Sequence, residues 1–398
     1  MPRTTHPHKD GLGTSTPSPP GYFAEQALLG ALLAEPHRLP DVTGISPDAF
    51  TTAAHAAVFA AIQALPAPAP AENTDHAAAL AALRALPAAP GPGEHAEHAE
   101  HAEHIVWLKK VLAVAREQAR GLTAAHLHAL ISACPTPRHA PAYARIIEAE
   151  HARRRLRTAA QRLAHTARDA SLPHPVPSTL AEADALSSVV DNVAAVFPPH
   201  SGSLPRTPVP PQEPPHDGEE AAQEERLLLA TATARPAETE QMRWLTAEDF
   251  TLSLHAGLWQ CLTTLVRRRA PVDPVTVLWQ AQQHGALGNT TDAREVLGFL
   301  ARPDVSAPYL AERILTRSVL VTAHHVGRRI LAFTEDPANS PYQLVVGSRR
   351  ALAELTAIRT RWQQATSPAT GPPPRTTAAA RRTSPAPTTA APAGRLTR

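Results

Sequence analysis

The chain has 398 residues, of which 43% are apolar, and this is enough to build the cores of two domains. Its 42 prolines are more than helices and strands can hold, so part of the chain must lie in linkers or tails. With only Cys134 and Cys261, it has neither a disulfide framework nor a four-cysteine zinc site, as expected in a reducing cytoplasm. We find no signal-peptide pattern and no run near the ~18 apolar residues of a membrane span, so we expect a soluble, cytoplasmic protein without membrane contact.

The formal net charge is +2, and the three lysines are Lys9, Lys109 and Lys110. None of them is followed by serine or threonine, whereas a P-loop needs G-x-x-x-x-G-K-[ST] to hold phosphate and magnesium. We therefore expect no nucleotide hydrolysis, no catalytic residues and no cofactor.

In chain order, residues 1–20 are rich in proline, threonine and serine and lack periodic apolar positions, so we expect them to be disordered. Residues 367–398 have the same character and form a basic tail. A third such stretch, 170–217, predicts a semi-extended linker that a short helix around 180–196 interrupts. Elsewhere, apolar residues recur at helical intervals with no convincing strand, which predicts an all-α fold.

A shift of 200 residues aligns the two halves of the chain without a gap from Glu25 to Leu65. Ten positions in this window are identical, and they include Glu25 and Glu225, Leu28 and Leu228, Leu29 and Leu229, Phe50 and Phe250, Thr51 and Thr251, and His55 and His255. Such matches in one register predict a tandem duplication.

Further along, Ala140-Pro141 corresponds best to Ala307-Pro308, which is about 33 residues closer. The first copy, 21–169, therefore carries a low-complexity insertion at about 66–104, where added loop length costs little stability. The second copy is predicted over 218–366.

The segment from Pro19 to Leu33 reads PPGYFAEQALLGALL, which resembles the opening of the N-terminal domain of DnaB-type replicative helicases. Asp48-Ala49-Phe50 with His55, and Pro271-Val272-Asp273 in the second copy, are similar to further motifs of that family. The second copy lacks the A-E-Q-x-x-L-G form, and the first lacks the V-D-x-V-T stretch. The family's RecA-like ATPase domain is missing from this sequence.

The resemblance implies two all-α domains, each a small helical bundle followed by a long helical hairpin. In the family, this domain builds a collar on the helicase ring and docks primase and loading factors. We therefore expect an adaptor or oligomerisation protein that binds helicase, primase or loader proteins. Because family hairpins pair between subunits, the two copies could form a pseudo-dimer within one chain. The alternatives are a degenerate helicase subunit that needs a partner ATPase, and an accessory protein that binds DNA, weakly, through arginine-rich hairpin faces and the C-terminal tail.

Arginines are the candidate residues for contact with a partner or with nucleic acid. They are Arg153, Arg154, Arg155, Arg157, Arg328 and Arg329 on the predicted hairpins and Arg381 and Arg382 in the tail. The competing interpretation for the hairpin residues is a solvated or acid-paired helix face.

Three further features have structural interpretations. The repeat of glutamate, histidine and alanine at 94–104 could bind a metal, but its period of three spreads the histidines around a helix, so we expect a solvated insertion and no metal site. His55 and His255 are expected to be half-buried structural residues that cap or hydrogen-bond the preceding turn, since no carboxylate, serine or cysteine partner recurs with them as a reactive site would need. The five tryptophans are expected mostly in cores, with one or two at a partner groove.

Overall fold

The computed structural model describes residues 19–68, 97–200, 202–212, 218–288, 292–302 and 306–367. These ranges contain helices, turns and loops but no strand, which confirms the all-α prediction. None of their helices is long and apolar enough to cross a membrane. The predicted disorder of 1–20 and 367–398, and the insertion up to residue 96, fall almost entirely outside the described residues.

The first copy begins with a bundle of four helices and ends with a long hairpin. The helices are α1 (Pro20–Ala34), α2 (Ala53–Ala64), α3 (Glu97–Gln118), α4 (Ala124–Ala133), α5 (Ala140–Thr166) and α6 (Pro175–Val196). Side chains cap two of them, since Thr52 accepts a hydrogen bond from the His55 N–H and Thr123 accepts one from the His126 N–H. α1 lies at the centre of the bundle, packed on α4 and on the start of α5.

The second copy repeats this order, and a short helix after its first helix takes the place of the 3₁₀ helix Pro36–Asp41 of the first copy. Its helices are α7 (Gly218–Ala234), α8 (Pro236–Thr239), α9 (Ser253–Arg267), α10 (Pro274–Gln283), α11 (Ala293–Leu300), α12 (Ala307–Glu335) and α13 (Pro341–Thr366). α12 and α13 form the second hairpin, and the capping box of Ser340 and Gln343 opens α13.

Two aromatic residues demonstrate that the copies are equivalent. Phe50 is buried in the core of the first copy, with its ring centroid 4.9 Å from that of Phe59. Phe250 is buried in the second copy, 5.6 Å from the ring of Trp259. Both phenylalanines thus occupy matching core sites, as the register of the repeat predicts.

The short helix expected around 180–196 is present, but it begins earlier, at Pro175, and as α6 it completes the first hairpin instead of interrupting a semi-extended linker. Pro175 and Pro177 lie in the first turn of α6, where a missing N–H breaks no helical hydrogen bond. Leu186 and Val190 are buried in the shared core described next. The exact limits of the two copies stay predictions.

The two hairpins pack together into one four-helix bundle. α5 makes its most extensive contact with α12 of the other copy, and α6 also lies along α13. The buried apolar residues from Ala152 onward in the first hairpin belong to the same core as those of the whole second copy. The bundle of α1 to α4, with the first half of α5, has a separate core.

Candidate functional site

The crossing of α5 and α12 is a close approach between two helix backbones. A Cβ atom placed on Gly327 of α12 would lie 2.8 Å from Cβ of Ala164 and 2.9 Å from the carbonyl oxygen of Ala160. Ala160 itself is fully buried. Small residues on both helices therefore bring the two copies into direct backbone contact.

The residues at this crossing are related by the duplication. Ala160 lies twenty positions after Ala140, the first residue of α5, and Gly327 lies twenty positions after Ala307, the first residue of α12. Equivalent positions that face each other are the mark of a two-fold, self-complementary contact. The two hairpins therefore meet as the subunits of a symmetric dimer do, although they belong to one chain.

Side-chain hydrogen bonds join α5 to the C-terminal end of α12, and α12 to the C-terminal end of α5. Arg153 of α5 donates to the carbonyl oxygens of Thr334 at 3.1 Å, Asp336 at 2.9 Å and Asn339 at 2.6 Å. These carbonyls lie at the end of α12 and in the turn after it, where helical partners run out. In the opposite direction, Nδ1 of His324 donates to the carbonyl oxygen of Ala164 at 3.0 Å.

The segment that joins the copies also lies on this turn. The Thr207 hydroxyl donates to Oδ2 of Asp336 at 2.6 Å, and Nδ2 of Asn339 donates to the Thr207 hydroxyl oxygen at 2.7 Å. Nε2 of Gln343 donates to the carbonyl oxygen of Leu204 at 3.0 Å. The connection between the copies is therefore held against the second hairpin.

Four of the predicted contact arginines make contacts within the chain. Besides Arg153, Arg154 donates to the carbonyl oxygen of Ala49 in its own copy. Arg157 lies 3.6 Å from Oε1 of Glu335 in the other copy, and Arg329 lies 2.7 Å from Oε1 of Glu354. The acid-paired interpretation thus describes both Arg157 and Arg329.

The other four candidates divide into two exposed residues and two that lie outside the described chain. Arg155 and Arg328 are exposed, whereas Arg381 and Arg382 lie outside the described residues. Contact of these arginines with a partner or with nucleic acid stays a prediction.

Sequence reasoning missed a buried carboxylate–histidine pair that occurs in both copies. Oε2 of Glu25 lies 2.7 Å from Nδ1 of His55, and Oε2 of Glu225 lies 2.7 Å from Nδ1 of His255. All four side chains are at most 2% exposed. The expectation of half-buried histidines without a carboxylate partner is therefore wrong.

A threonine completes each pair. The backbone N–H of Thr51 donates to Oε1 of Glu25 at 2.7 Å, and the N–H of Thr251 donates to Oε1 of Glu225 at 2.6 Å. The sequence did carry the signal, because all three residue types are among the identical positions of the repeat. Both carboxylate oxygens are engaged and enclosed, so the arrangement joins α1 to α2, and α7 to α9, rather than exposing a reactive group.

Opposing effects act on the pKa of Glu25. Burial favours the neutral acid and raises the pKa, whereas the hydrogen bonds from His55 and Thr51 and the charge of His55 favour the carboxylate. The net result is a pKa below the usual value of a glutamate. The carboxylate of Glu25 is therefore ionised near neutral pH.

The tryptophan positions fit the expectation of mostly core residues, whereas one histidine of the repeat differs from expectation. Trp107 and Trp259 are buried core residues, but Trp279 is 60% exposed. His104 is buried beside Trp107, with ring centroids 5.8 Å apart, so the expectation of a solvated repeat is wrong for this residue. Residues 94–96 lie outside the described ranges, within which no cluster of His, Cys, Asp and Glu could hold a metal ion.

The comparison with protein-family models agrees with the duplicated architecture. Residues 18–117 and 217–314 both match the model described as DnaB-like helicase N terminal domain. The first match ends within α3 and the second within α12, so the hairpin of the first copy lies beyond it. No curated protein and no solved structure matches the chain significantly.

Proposed function

Since the chain carries two tandem copies of the DnaB-like helicase N-terminal domain, we propose that it is a non-catalytic adaptor or oligomerisation protein of DNA replication in the cytoplasm. The observation that carries the proposal is the symmetric contact of α5 and α12 at Ala160 and Gly327. An interface of this kind normally joins two subunits, and here it joins two parts of one chain.

The consequence is a pseudo-dimer that forms without a second molecule. A tether raises the effective concentration of the two hairpins toward the millimolar range, so pairing within the chain outcompetes pairing between chains. The hydrogen bonds from Arg153 and Thr207 to the α12–α13 turn add to this preference. The chain is then a monomer or a small ring of pseudo-dimers, and its outer surfaces are left to bind helicase, primase or loader proteins.

A cut between the copies tests the pseudo-dimer. A protease site inserted within 213–217 lies between the copies and outside the described residues. After cleavage, we expect the two fragments to elute together in size-exclusion chromatography with light scattering, at the mass of the intact chain. Separate elution of two folded fragments, or a stable six-chain assembly of the uncut protein, would overturn the proposal.

The variant Gly327→Leu supplies the matched control for that cut. Its side chain would meet the Ala160 backbone, so the cleaved variant should release its fragments under the same conditions. If the cleaved variant stays associated as tightly as the cleaved wild type, the α5–α12 crossing does not hold the copies together.

A capture experiment addresses the partners. The full chain, immobilised and exposed to native extract, is expected to retain a replicative helicase, a primase or a loader, identified by mass spectrometry. Retention of a separate ATPase that hydrolyses nucleotide only with this chain bound would instead favour the degenerate helicase subunit. Retention of none of these proteins by the folded chain would count against a role as a replication adaptor.

A further inference from the structure

The surface at the corner between α9 and α10 differs from the hairpins, because it combines exposed apolar side chains with exposed arginines. Val275 is 64% exposed and Trp279 is 60% exposed. They lie one helical turn apart on the outer side of α10, while Val277 and Ala281 on its inner side are fully buried. An exposed indole beside an exposed valine is not needed by the core of the second copy.

Arginines Arg267, Arg268 and Arg269 stand at the end of α9 and in the turn that leads to α10, and all three are exposed. Within the part of the chain that the structure describes, Arg268 and Arg269 form no ion pair and no side-chain hydrogen bond. This sets them apart from Arg153, Arg157 and Arg329 of the hairpins.

Few acids lie close to these arginines in the sequence. Asp273 is the only acid between Phe250 and Thr291, and its Oδ1 already accepts hydrogen bonds from the N–H groups of Val275 and Thr276. Glu240 and Glu248 line a cavity with Arg267 on the side of α9 toward α8. The turn with Arg268 and Arg269 therefore keeps an excess of positive charge.

Arg269 also has a backbone conformation that favours glycine. Its φ is 53°, and among the residues that the structure describes it is the only non-glycine residue with a positive φ. The N–H of Ala270 bonds to the carbonyl of Leu265, and that of Arg269 bonds to the carbonyl of Val266, each at 3.0 Å, which is the Schellman pattern of a helix end. An arginine in a position where glycine relieves strain points to a role for its side chain other than stability.

We propose that this corner, comprising Arg268, Arg269, Val275 and Trp279, binds single-stranded nucleic acid. The exposed indole offers a stacking platform for an unpaired base, and the two guanidinium groups contact phosphates. A duplex hides the faces of its bases, so the exposed indole favours a single strand. The inference is independent of the pseudo-dimer, because no residue of the corner lies at the α5–α12 crossing.

Two other occupants fit the observations less well. A second copy of the chain that docked through the same corner would bring Arg268 and Arg269 of both molecules together, and like charges repel. An acidic protein segment would pair with the arginines, but it would gain nothing specific from the planar face of Trp279.

Fluorescence anisotropy of a labelled oligothymidine with the full-length protein, over a series of salt concentrations, tests the proposal. In the double variant Arg268→Gln/Arg269→Gly, we expect weaker binding and a slope of log affinity against log salt that is smaller by roughly 1.4, since each lost phosphate contact contributes about 0.7. Because glycine relieves the backbone at 269, this variant should fold at least as stably as the Arg268→Gln single variant, so weaker binding would not reflect misfolding.

Trp279→Ala separates stacking from charge. Loss of one stacked base should weaken binding about tenfold while leaving the salt slope unchanged, and Trp279→Phe should retain most of the affinity. The matched charge control is the tail variant Arg381→Gln/Arg382→Gln. When Trp279→Ala is added to this variant, it should weaken oligothymidine binding by the same factor as it does in the wild type.

Four results of the binding measurements would overturn the proposal. They are an absence of binding by the wild type at low salt, unchanged binding in both corner variants, binding abolished by the tail variant alone, and displacement of the oligonucleotide by polyglutamate of equal length as readily as by unlabelled oligothymidine. A change of molar mass in Trp279→Ala without a change in nucleic-acid affinity would identify a second copy of the chain as the occupant, and would overturn it as well.

Discussion

Gly327 of α12 lies against the backbone of Ala160 in α5, and the two residues hold equivalent positions in the two copies of the repeat. Two helices that cross at equivalent residues make a self-complementary contact. The duplication thus reproduces within one chain the geometry that symmetry gives to a pair of subunits. Small side chains at this point set how closely α5 and α12 approach.

Enlarging the residue at the crossing should loosen the pairing of the hairpins. Gly327→Ala would place a Cβ 2.8 Å from Cβ of Ala164 and 2.9 Å from the Ala160 oxygen, which is closer than real Cβ contacts. Since one of these neighbours is backbone, the helices must separate, and overpacking of this kind costs about 1–3 kcal/mol. Urea unfolding of the full chain, followed by circular dichroism, measures the loss.

Gly298→Ala is the matched control, because a Cβ at that position in α11 meets nothing within 4 Å. Alanine is the better helix former, so the control should be as stable as the wild type or more stable by up to about 1 kcal/mol. Equal destabilisation by both substitutions would show that the crossing has no special role.

The Glu25–His55 pair should make the stability of the first copy depend on acid. The pKa of Glu25 is lowered in the folded chain, so its carboxylate contributes stability that is fully present above the usual pKa of a glutamate. This stability is lost as the pH falls through the lower, folded pKa. Melting temperatures measured from neutral to acid pH should therefore fall less steeply in Glu25→Gln than in the wild type.

At neutral pH, the same variant should be less stable by about 1–3 kcal/mol, because the amide cannot replace a carboxylate that accepts bonds from both His55 and Thr51. Glu117→Gln, on the exposed side of α3, is the control and should leave both the stability and its pH profile unchanged. A parallel pH profile for Glu25→Gln and the wild type would rule out Glu25 as the acid-sensitive group.

The class of fold and the duplication were predictable because both depend on local pattern. Helical periodicity and identical residues in one register require no knowledge of long-range contacts, and Phe50 and Phe250 accordingly occupy matching core sites. The helix expected around 180–196 is α6, but it begins earlier than expected, since Pro175 and Pro177 fall in a first turn where a helix tolerates them. Position in the helix, rather than number, decides what proline does.

The contacts of the candidate site could not be read from spacing. Glu25 and His55 are 30 residues apart on two helices, and Arg153 reaches a carbonyl 181 residues further along the chain. Such pairs exist only after the helices pack. An arginine on a helix face looks the same in sequence whether it meets solvent, an acid or the end of another helix.

Arg153 provides a third test, because its guanidinium joins the two copies at the end of α12. Its donors satisfy three carbonyl oxygens, and the side chain is 15% exposed. Arg153→Lys cannot reproduce the planar fork of donors, so we expect a loss of about 1–3 kcal/mol in urea unfolding. Arg155→Lys, exposed on the same helix, should change the stability by less than about 0.5 kcal/mol. Equal stability of the two variants would show that these hydrogen bonds do not hold the hairpins.

The last prediction concerns the two equivalent phenylalanines, which lie in different cores. Phe50 belongs to the core of the first bundle, whereas Phe250 belongs to the core that continues into the first hairpin. Truncation of either ring to alanine should cost ~3–5 kcal/mol, since both are at most 8% exposed. Phe23→Ala, 57% exposed on α1, is the control and should cost little.

The two variants should differ in where the chain loosens. In Phe250→Ala, amide hydrogen exchange is expected to quicken in α6 of the first copy as well as in the second copy, because Leu186 and Val190 share its core. In Phe50→Ala, faster exchange should be confined to α1 to α4 and the start of α5. If Phe250→Ala left α6 as protected as in the wild type, the hairpins would not share one cooperative core, and the two copies would have to be treated as separately folding units.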